Sequence, residues 1–242
     1  MDKFKIQEDQ YAFPYHYIAS LTNNIPSINK KLSWGFEYIT YIDFVRTYIE
    51  QKIQPSSLLD IGCGDGYLVN SLAYDQSKQI KGIDLSERAI GFAKAFSNGY
   101  EFECVDLFKI DQKFHVVCLI EVLEHISEDF ILSFVDESFS KVEMGGYMII
   151  SVPTTVEKVN KKHYRHYDEL LLERQINQPE FEVIGQFRIY KKSRLLEKLI
   201  KFSQKRNSKT IKRMVWNWHK NNTYYADKNT GKHLVAIYQR TS

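Results

Sequence analysis

An apolar run followed at once by three alternating glycines is the feature that most constrains how this chain can fold. The sequence reads LLDIGCGDGY over residues 58–67, so Gly62, Gly64 and Gly66 follow Ile61 closely. Glycine adopts backbone angles closed to other residues and lets a ligand approach the main chain. In open α/β sheets such a loop lies at the carboxyl edge of the strands, where ligands bind. The segment therefore predicts a ligand-binding loop in a parallel sheet.

The rest of the chain alternates short apolar runs with helix-like periods, which is the pattern of a parallel sheet wrapped by helices. The predicted strands are Ser57–Ile61, Ile80–Asp84, Glu101–Val105, Phe114–Ile120 and Tyr147–Val152, with crossover helices over Ser86–Phe96 and Ser127–Ser140. Two later runs, Phe181–Tyr190 and Leu234–Gln239, alternate apolar residues. They predict an antiparallel pair that closes the sheet at its edge.

The length of 242 residues and the 43% hydrophobic content predict one compact domain with additions. We expect residues 1–52 to form an aromatic N-terminal cap with a helix over Trp34–Ile49. Residues 53–242 are expected to form the main domain, with an insertion at 191–232 before the last strand. No apolar run reaches the roughly 20 residues that span a bilayer, and the start MDKFKIQEDQ lacks the apolar core of a signal peptide. These features predict a cytoplasmic protein.

The net charge of +3 conceals an uneven distribution. Residues 191–220 contain eleven Lys and Arg against a single acid, Glu197, so this stretch carries +10 and the remainder −7. The local field, and not the total charge, decides which partners are attracted. The insertion therefore predicts an anionic acceptor or an anionic surface.

The acids around the glycine loop indicate which cofactor it holds. Dinucleotide-binding loops read G-x-G-x-x-G and face a pyrophosphate, whereas this loop is flanked by Asp60 and Asp65, which would repel phosphate. Asp84 ends the next predicted strand, where a carboxylate can accept both hydroxyls of a ribose. A nucleoside ligand with a cationic group and no phosphate fits these acids, and S-adenosylmethionine is such a ligand.

Residues 57–153 resemble the class I S-adenosylmethionine-dependent methyltransferases through DIGCGDG, GIDLS, CVDLF, LIEVLEHI and GGYMIISVP. The resemblance implies a Rossmann-like, seven-stranded methyltransferase sheet with helices on both faces, and S-adenosylmethionine as the cofactor. It also implies that Asp60, Gly62, Gly64 and Gly66 flank the methionine part of the cofactor, that Asp84 and Leu85 hold the ribose, and that Asp106 and Leu107 lie against the adenine.

A second group of titratable residues follows the fourth predicted strand. Glu121, Glu124 and His125 are spaced to share one face of a helical turn at the carboxyl end of that strand. Two carboxylates and an imidazole form part of a ligand set for Mg²⁺, Mn²⁺ or Zn²⁺. A fourth ligand would come from His163 or His166, which lie just after the fifth strand.

This E-x-x-E-H pattern with a distant histidine resembles two metal-using groups, the ubiquinone-pathway O-methyltransferases and the small-RNA 3′-end ribose methyltransferases. The resemblance implies a metal site made of Glu121, Glu124, His125 and His166. A similar run also occurs in methyltransferases without a metal, so proton transfer by a side chain alone stays open. The catalytic candidates are His125, His163, His166 and Glu121, with His16 of the N-terminal cap as an additional histidine.

The insertion is expected to roof the acceptor site, and three kinds of partner fit its basic and aromatic residues. They are an anionic small molecule or glycan, RNA, and a lipid-linked acceptor on an anionic membrane. The expected reaction is O-methylation of a sugar-like, glycan or other polyhydroxylated small-molecule acceptor. The alternatives are a metal-dependent RNA ribose 2′-O-methyltransferase and a non-catalytic, cofactor-binding regulatory subunit. The acids and histidines after the fourth strand argue against the regulatory subunit, because cofactor binding alone does not need them.

Overall fold

The computed structural model describes Lys3, Lys5 and residues 20–22, 24–27, 32–73, 75–97, 99–206 and 208–242. A short hairpin pairs β1 (Ser20–Thr22) with β2 (Ile25–Ser27) in antiparallel fashion. The candidate residue His16 and the side chain of Trp34 lie outside the described residues.

Seven strands of the described chain form the main sheet. They are β3 (Ser57–Ile61), β4 (Gln79–Asp84), β5 (Glu101–Cys104), β6 (Phe114–Ile120), β7 (Val142–Pro153), β8 (Phe181–Lys191) and β9 (Gly231–Arg240), in the spatial order β5-β4-β3-β6-β7-β9-β8. The strands from β3 to β7 pair in parallel, and β9 lies antiparallel between β7 and β8. The predicted seven-stranded α/β sheet, closed by an antiparallel pair, is confirmed.

Helices cover both faces of this sheet. They are α1 (Leu32–Tyr48), α2 (Tyr67–Ser71), α3 (Glu87–Ala95), α4 (Ile131–Ser140), α5 (Glu169–Gln175), α6 (Arg194–Arg206) and α7 (Lys209–Asn222). The helix predicted from Ser86 is present as α3, and Ser86 caps it, since the Ser86 hydroxyl accepts a hydrogen bond from the Ala89 N–H. The helix predicted from Ser127 begins at Ile131 instead, because the Phe130 and Ile131 N–H groups both donate to the Ser127 carbonyl and close a turn.

Two apolar cores lie on the two faces of the sheet, because successive strand residues point to opposite faces. Leu58 belongs to the core beneath α1, α3, α6 and α7, while Leu59 belongs to the core beneath α4 and α5. The insertion helices are joined to the N-terminal helix through the first core. The rings of Phe36 on α1 and Trp216 on α7 meet edge to face with centroids 5.2 Å apart.

The carboxyl edge of the parallel strands gathers the segments that carry the predicted site. The antiparallel β9 begins at this edge, and β8 ends there because it runs in the same direction as β7. Helix α6 therefore leaves the sheet from the edge that holds the glycine loop. Within the described residues, no helix combines the length and apolar character that crossing a bilayer requires.

Candidate functional site

The glycine loop after β3 packs directly against the segment after β6. Gly62 and Gly66 have φ values of 71° and 74°, which residues with a side chain rarely adopt. A Cβ atom on Gly62 would lie 2.7 Å from Cγ2 of Val122, and one on Gly66 would lie 2.6 Å from the Phe102 ring. The sequence needs glycine at both positions, and the contact with Val122 places the glycine loop beside Glu121.

Three carboxylates surround this loop. Asp60 is buried, and burial together with repulsion from Asp84 and Asp65 raises the pKa of Asp60 to about 8. The Asp84 carboxylate is held at the end of β4 by the N–H groups of Gly64 and Ser86, which donate to it at 3.0 and 2.8 Å. At neutral pH the Asp60 side chain of the free protein therefore mostly holds a proton, and the Asp84 and Asp65 carboxylates supply the negative potential that favours a cationic ligand.

The residues predicted to hold the ribose and adenine lie after β4 and β5. Leu85 is exposed, and Leu107 is buried in the core beneath α4. Asp106 caps the short helical turn Leu107–Lys109, because its carboxylate accepts the Phe108 N–H at 3.1 Å. The capping role explains Asp106 locally, while the contacts of Leu85, Asp106 and Leu107 with the cofactor stay predictions.

The spacing predicted that Glu121, Glu124 and His125 share one face of a helical turn, and this prediction is wrong for Glu121. Its φ is 57°, and the helical turn begins only at Leu123. The Glu121 N–H donates to the Ser151 carbonyl at 2.8 Å, and the Ser151 hydroxyl donates to the Glu121 carboxylate at 2.5 Å. A left-handed conformation costs a non-glycine residue about 1 kcal/mol or more, so these bonds to β7 hold Glu121 in an unfavourable backbone state.

A histidine that the sequence reasoning missed lies between two carboxylates at this edge. His233 Nδ1 donates to Glu121 at 3.1 Å, and His233 Nε2 donates to Glu37 of α1 at 2.9 Å. Burial alone would lower the pKa of His233, but the two carboxylates outweigh it and raise the pKa to about 10. His233 is therefore a buried cation that joins the site to α1, and Lys232 adds a second ion pair with Glu37 at 2.8 Å.

Three residues meet in what we call the acid–histidine cluster: Glu124, His125 and His163. One ligand atom from each lies within 4.8 Å of the others. Glu124 is only 1% exposed, and its Oε2 has no hydrogen-bond partner among the described residues. Burial and then repulsion from Glu121 raise the pKa of Glu124 well above its usual range. A buried acceptor without a partner is costly, so this oxygen fits a bound proton or cation.

Hydrogen bonds behind the cluster define which ring nitrogens face it. His166 Nδ1 lies 2.8 Å from the Glu157 carbonyl and donates to it, so His166 Nε2 accepts from His163 Nδ1 at 2.8 Å. His163 Nε2 is then left without a proton, and the Asn160 side-chain amide lies 3.2 Å from it, within donating distance. His166, the predicted fourth ligand, lies behind His163 and orients it, as residues behind metal ligands do.

His125 follows the same arrangement. Its Nδ1 donates to the Lys162 carbonyl at 3.2 Å, which leaves Nε2 unprotonated and 3.8 Å from Glu124 Oε1. Burial, with a contribution from Lys162, lowers the pKa of His125 to about 4, and burial also lowers the pKa of His163. Two neutral imidazoles and a buried carboxylate fit the donor set of a divalent transition metal.

The loop after β7 that carries His163 and His166, and helix α1, both pack against this edge of the sheet. The Tyr164 N–H donates to the Glu124 carbonyl at 2.7 Å, and Arg165 donates to the Leu123 carbonyl at 2.9 Å.

On the α1 side of the site, the buried Tyr41 ring packs against the His233 ring, with the two ring centroids 4.7 Å apart. Burial and the charges of Glu121, Glu37, Glu124 and Asp65 raise the pKa of Tyr41 well above its usual value, so its hydroxyl stays protonated at neutral pH.

A family model described as a methyltransferase domain matches residues 34–198, well over half of the chain. The chain therefore belongs to the methyltransferase-domain family. Among curated relatives, the ubiquinone biosynthesis O-methyltransferase of Coxiella burnetii is 34% identical over 90 residues, which cover 34% of this chain and 38% of the relative. The chain spans less than half the length of the curated relatives that it matches.

Solved structures of methyltransferases share the fold. The N-methyltransferase NodS from Bradyrhizobium japonicum WM9, in complex with S-adenosyl-L-homocysteine, aligns with a TM-score of 0.64, 14% identity and full coverage of both chains. The magnesium protoporphyrin IX methyltransferase ChlM from Synechocystis PCC 6803, with bound S-adenosylmethionine, aligns with a TM-score of 0.62 and 17% identity, over 100% of this chain and 98% of that one. The predicted class I methyltransferase fold and family are confirmed.

Proposed function

We propose that this chain transfers the methyl group of S-adenosylmethionine to a hydroxyl oxygen of a polyhydroxylated small molecule or glycan. The observation that carries the proposal is the contact of two sites at one edge of the sheet. A glycine loop lined with carboxylates packs against the segment that holds the acid–histidine cluster. The curated relatives named as O-methyltransferases support an oxygen acceptor.

The cofactor half of the proposal follows from charge. S-Adenosylmethionine carries a sulfonium and an ammonium group, and the loop offers the Asp65 and Asp84 carboxylates to offset them. Asp60 would ionise and add its charge once a cation binds beside it. The hydrogen bonds that fix Asp84 leave its carboxylate at the end of β4, where a ribose hydroxyl pair can reach it. A phosphate-bearing dinucleotide would be repelled by the Asp65 and Asp84 carboxylates.

In the proposed reaction, the acceptor oxygen displaces the methyl group in line from the sulfonium. The S–CH₃ bond breaks, the O–CH₃ bond forms, and the hydroxyl proton leaves to a base or to water. Because the sulfonium is already activated, the protein contributes mainly positioning and control of that proton. In this proposal His125, His163 and Glu124 orient the hydroxyl, and a neutral histidine of this set takes up its proton.

The cluster also fits a divalent cation, which its residues Glu124, His125 and His163 would hold with His166 behind them. Its buried carboxylate oxygen has no partner among the described residues, and both histidines have unprotonated Nε2 atoms. A metal ion at His163 Nε2 would displace the Asn160 amide, which lies 3.2 Å from that atom. A bound metal ion would act as a Lewis acid that lowers the pKa of the acceptor hydroxyl. The sequence-derived ligand set differs, since it contains Glu121 and His166 in place of His163.

Manganese binding tests these two ligand sets. We expect the wild-type protein to bind one Mn²⁺ per chain, seen by calorimetry and by electron paramagnetic resonance. Glu124→Gln and His163→Ala should abolish binding, and His166→Ala should weaken it about tenfold or more, as loss of a residue behind a ligand does. Glu121→Gln should leave the affinity nearly unchanged. If Glu121→Gln abolishes binding while His163→Ala does not, the sequence-derived set is right and the cluster is not the site.

The anionic character of the acceptor remains part of this proposal, and so does the choice between a small molecule and RNA. Exposed cations of α6, such as Lys198 and Lys201, form no ion pair with a carboxylate among the described residues, and they support an anionic partner. A ribose 2′-hydroxyl of RNA is the second candidate acceptor, because its neighbouring 3′-oxygen would suit a metal at Glu124, His125 and His163. The N-methylation of an amine is the outcome that would correct the proposal.

A turnover assay tests the function. The protein is incubated with S-adenosylmethionine and a panel of catechols, nucleotide-linked sugars, short RNA and a primary amine, and S-adenosylhomocysteine is quantified. We expect product with at least one hydroxyl acceptor, and methylation at oxygen by mass spectrometry. Methylation of the amine alone would overturn the choice of oxygen. Cofactor binding with no turnover on any acceptor would favour the regulatory-subunit alternative.

A further inference from the structure

We propose that the exposed side of α6 docks on the surface of an anionic lipid bilayer. This inference does not depend on the methyl-transfer proposal, since it concerns the surface of the basic insertion. Two large apolar side chains of α6, Leu195 and Phe202, are 54% and 49% exposed. They are seven residues apart, so they lie on the same side of the helix, two turns from each other.

Packing of the protein core does not explain this apolar pair. Helix α6 already buries a different side, on which Leu196 and Ile200 join the core beneath α1 and Ser203 is also buried. The helix therefore presents one apolar side to the protein and a second apolar pair to solvent. Single exposed apolar residues are ordinary on protein surfaces, so the pair gains meaning only from the charges around it.

Those charges are cations without a carboxylate partner, although the Arg206 guanidinium lies over the Phe202 ring at 5.8 Å from its centroid. Arg194, Lys198, Lys201, Lys205 and Arg206 are exposed on α6 beside the apolar pair. Within the described part of the chain, none of them forms an ion pair with a carboxylate, whereas Lys81, Arg188 and Lys232 all do. A helix with apolar residues bordered by Lys and Arg is the arrangement that lies in a membrane interface, and each cation near an anionic surface adds about 1 kcal/mol.

The position of the helix also fits a membrane better than a nucleic acid. RNA grooves place several aromatic rings between basic residues, whereas the exposed side of α6 offers one ring, Phe202, on a convex helix. Helix α6 starts three residues after β8 ends at Lys191, at the same edge of the sheet as the glycine loop. A bilayer under α6 would therefore lie on the side of the molecule from which an acceptor enters.

Vesicle sedimentation tests the proposal with two variants. The wild-type protein should sediment with phosphatidylcholine vesicles that contain phosphatidylglycerol, should not sediment with phosphatidylcholine alone, and should be released by salt. The double variant Leu195→Ser/Phe202→Ser should bind at least about tenfold more weakly, because the buried apolar area is lost. The triple variant Lys198→Gln/Lys201→Gln/Lys205→Gln should bind about a hundredfold more weakly, at about fivefold for each charge.

A matched control removes exposed apolar residues elsewhere. Leu132 of α4 and Leu170 of α5 are 60% and 68% exposed, and the variant Leu132→Ser/Leu170→Ser should bind vesicles as the wild type does. Circular dichroism and thermal melting show that each variant is folded. Equal binding to neutral vesicles, or unchanged binding of the Leu195/Phe202 variant, would overturn the proposal. Binding to a single-stranded RNA oligomer without binding to anionic vesicles would overturn it in favour of a nucleic-acid surface.

Discussion

Replacement of His233 by glutamine is expected to lower the stability of the folded protein by about 3 kcal/mol, the usual cost of breaking a buried ion pair. His233 holds hydrogen bonds to Glu121 and Glu37, both mostly buried. A neutral glutamine would leave these two carboxylates facing each other without a cation between them. For a chain of this length the loss corresponds to a fall of roughly 10 °C in Tm.

The pH dependence of that loss identifies the charge of His233 as its cause. The folded-state pKa of His233, about 10, lies above its unfolded value of 6.5. Its stabilising contribution is therefore complete below pH 6.5 and is lost as the pH rises through about 10. The difference in Tm between wild type and His233→Gln should shrink from pH 7 to pH 10. Adding Glu37→Gln to this variant should restore part of the stability, because one stranded carboxylate is removed.

His219 offers a matched control for the His233 experiment. It is also buried, but its neighbours are the hydroxyl groups of Thr40 and Thr223, and burial lowers its pKa to about 3. His219 is neutral at pH 7 and above, so the loss caused by His219→Gln should be constant between pH 7 and 10. A His233→Gln loss that is equally constant would show that His233 is not a buried cation.

The Asp60→Asn variant is expected to be more stable than the wild type and to bind S-adenosylmethionine at least about tenfold more weakly. In the free protein Asp60 is buried beside two other acids, so the ionisation of its carboxyl opposes folding. A cationic cofactor favours the ionised carboxylate, and an uncharged asparagine cannot attract that cofactor. We expect a weaker effect on S-adenosylhomocysteine, because it lacks the sulfonium charge.

The stability gain of Asp60→Asn should also depend on pH. The folded pKa of about 8 lies above the unfolded value of 3.8, so the protonated carboxyl supports folding at low pH and this support is lost as the pH rises through 8. The Tm of the variant should exceed that of the wild type by about 5 °C or more at pH 9, and by less at pH 5. A Tm that is lower at pH 9 would contradict the assigned burial and charge.

Much of the fold was predictable because it depends on local patterns. The parallel strands are short apolar runs with turn residues between them. The glycines after Ile61 predict a turn at that position without any information about the rest of the fold. The predicted start of α4 was wrong because a serine followed by acids resembles a helix cap, whereas Ser127 in fact closes a separate turn before Ile131. Local spacing cannot distinguish these two arrangements.

The candidate site was predictable only in part, because it depends on contacts between distant segments. The spacing of Glu121 and Glu124 implied one helical face, but the bonds of Glu121 to Ser151 pull it into a left-handed backbone. His163 and His166 are equivalent in the sequence, and contacts with other segments distinguish them. His166 donates to the Glu157 carbonyl, while His163 joins Glu124 and His125 in the cluster. His233 could have been noticed, since an antiparallel last strand begins at the carboxyl edge of its parallel neighbours.

Calorimetric titration of S-adenosylmethionine into the wild type and into Asp84→Asn tests whether the glycine loop and Asp84 bind this cofactor. We expect one cofactor per chain in the wild type. We also expect Asp84→Asn to weaken the binding of S-adenosylmethionine and S-adenosylhomocysteine alike, by about tenfold or more, because both ligands carry the ribose that a charged acceptor would hold. No binding of S-adenosylmethionine to the folded wild type, or full affinity in the Asp84→Asn variant, would contradict this binding site.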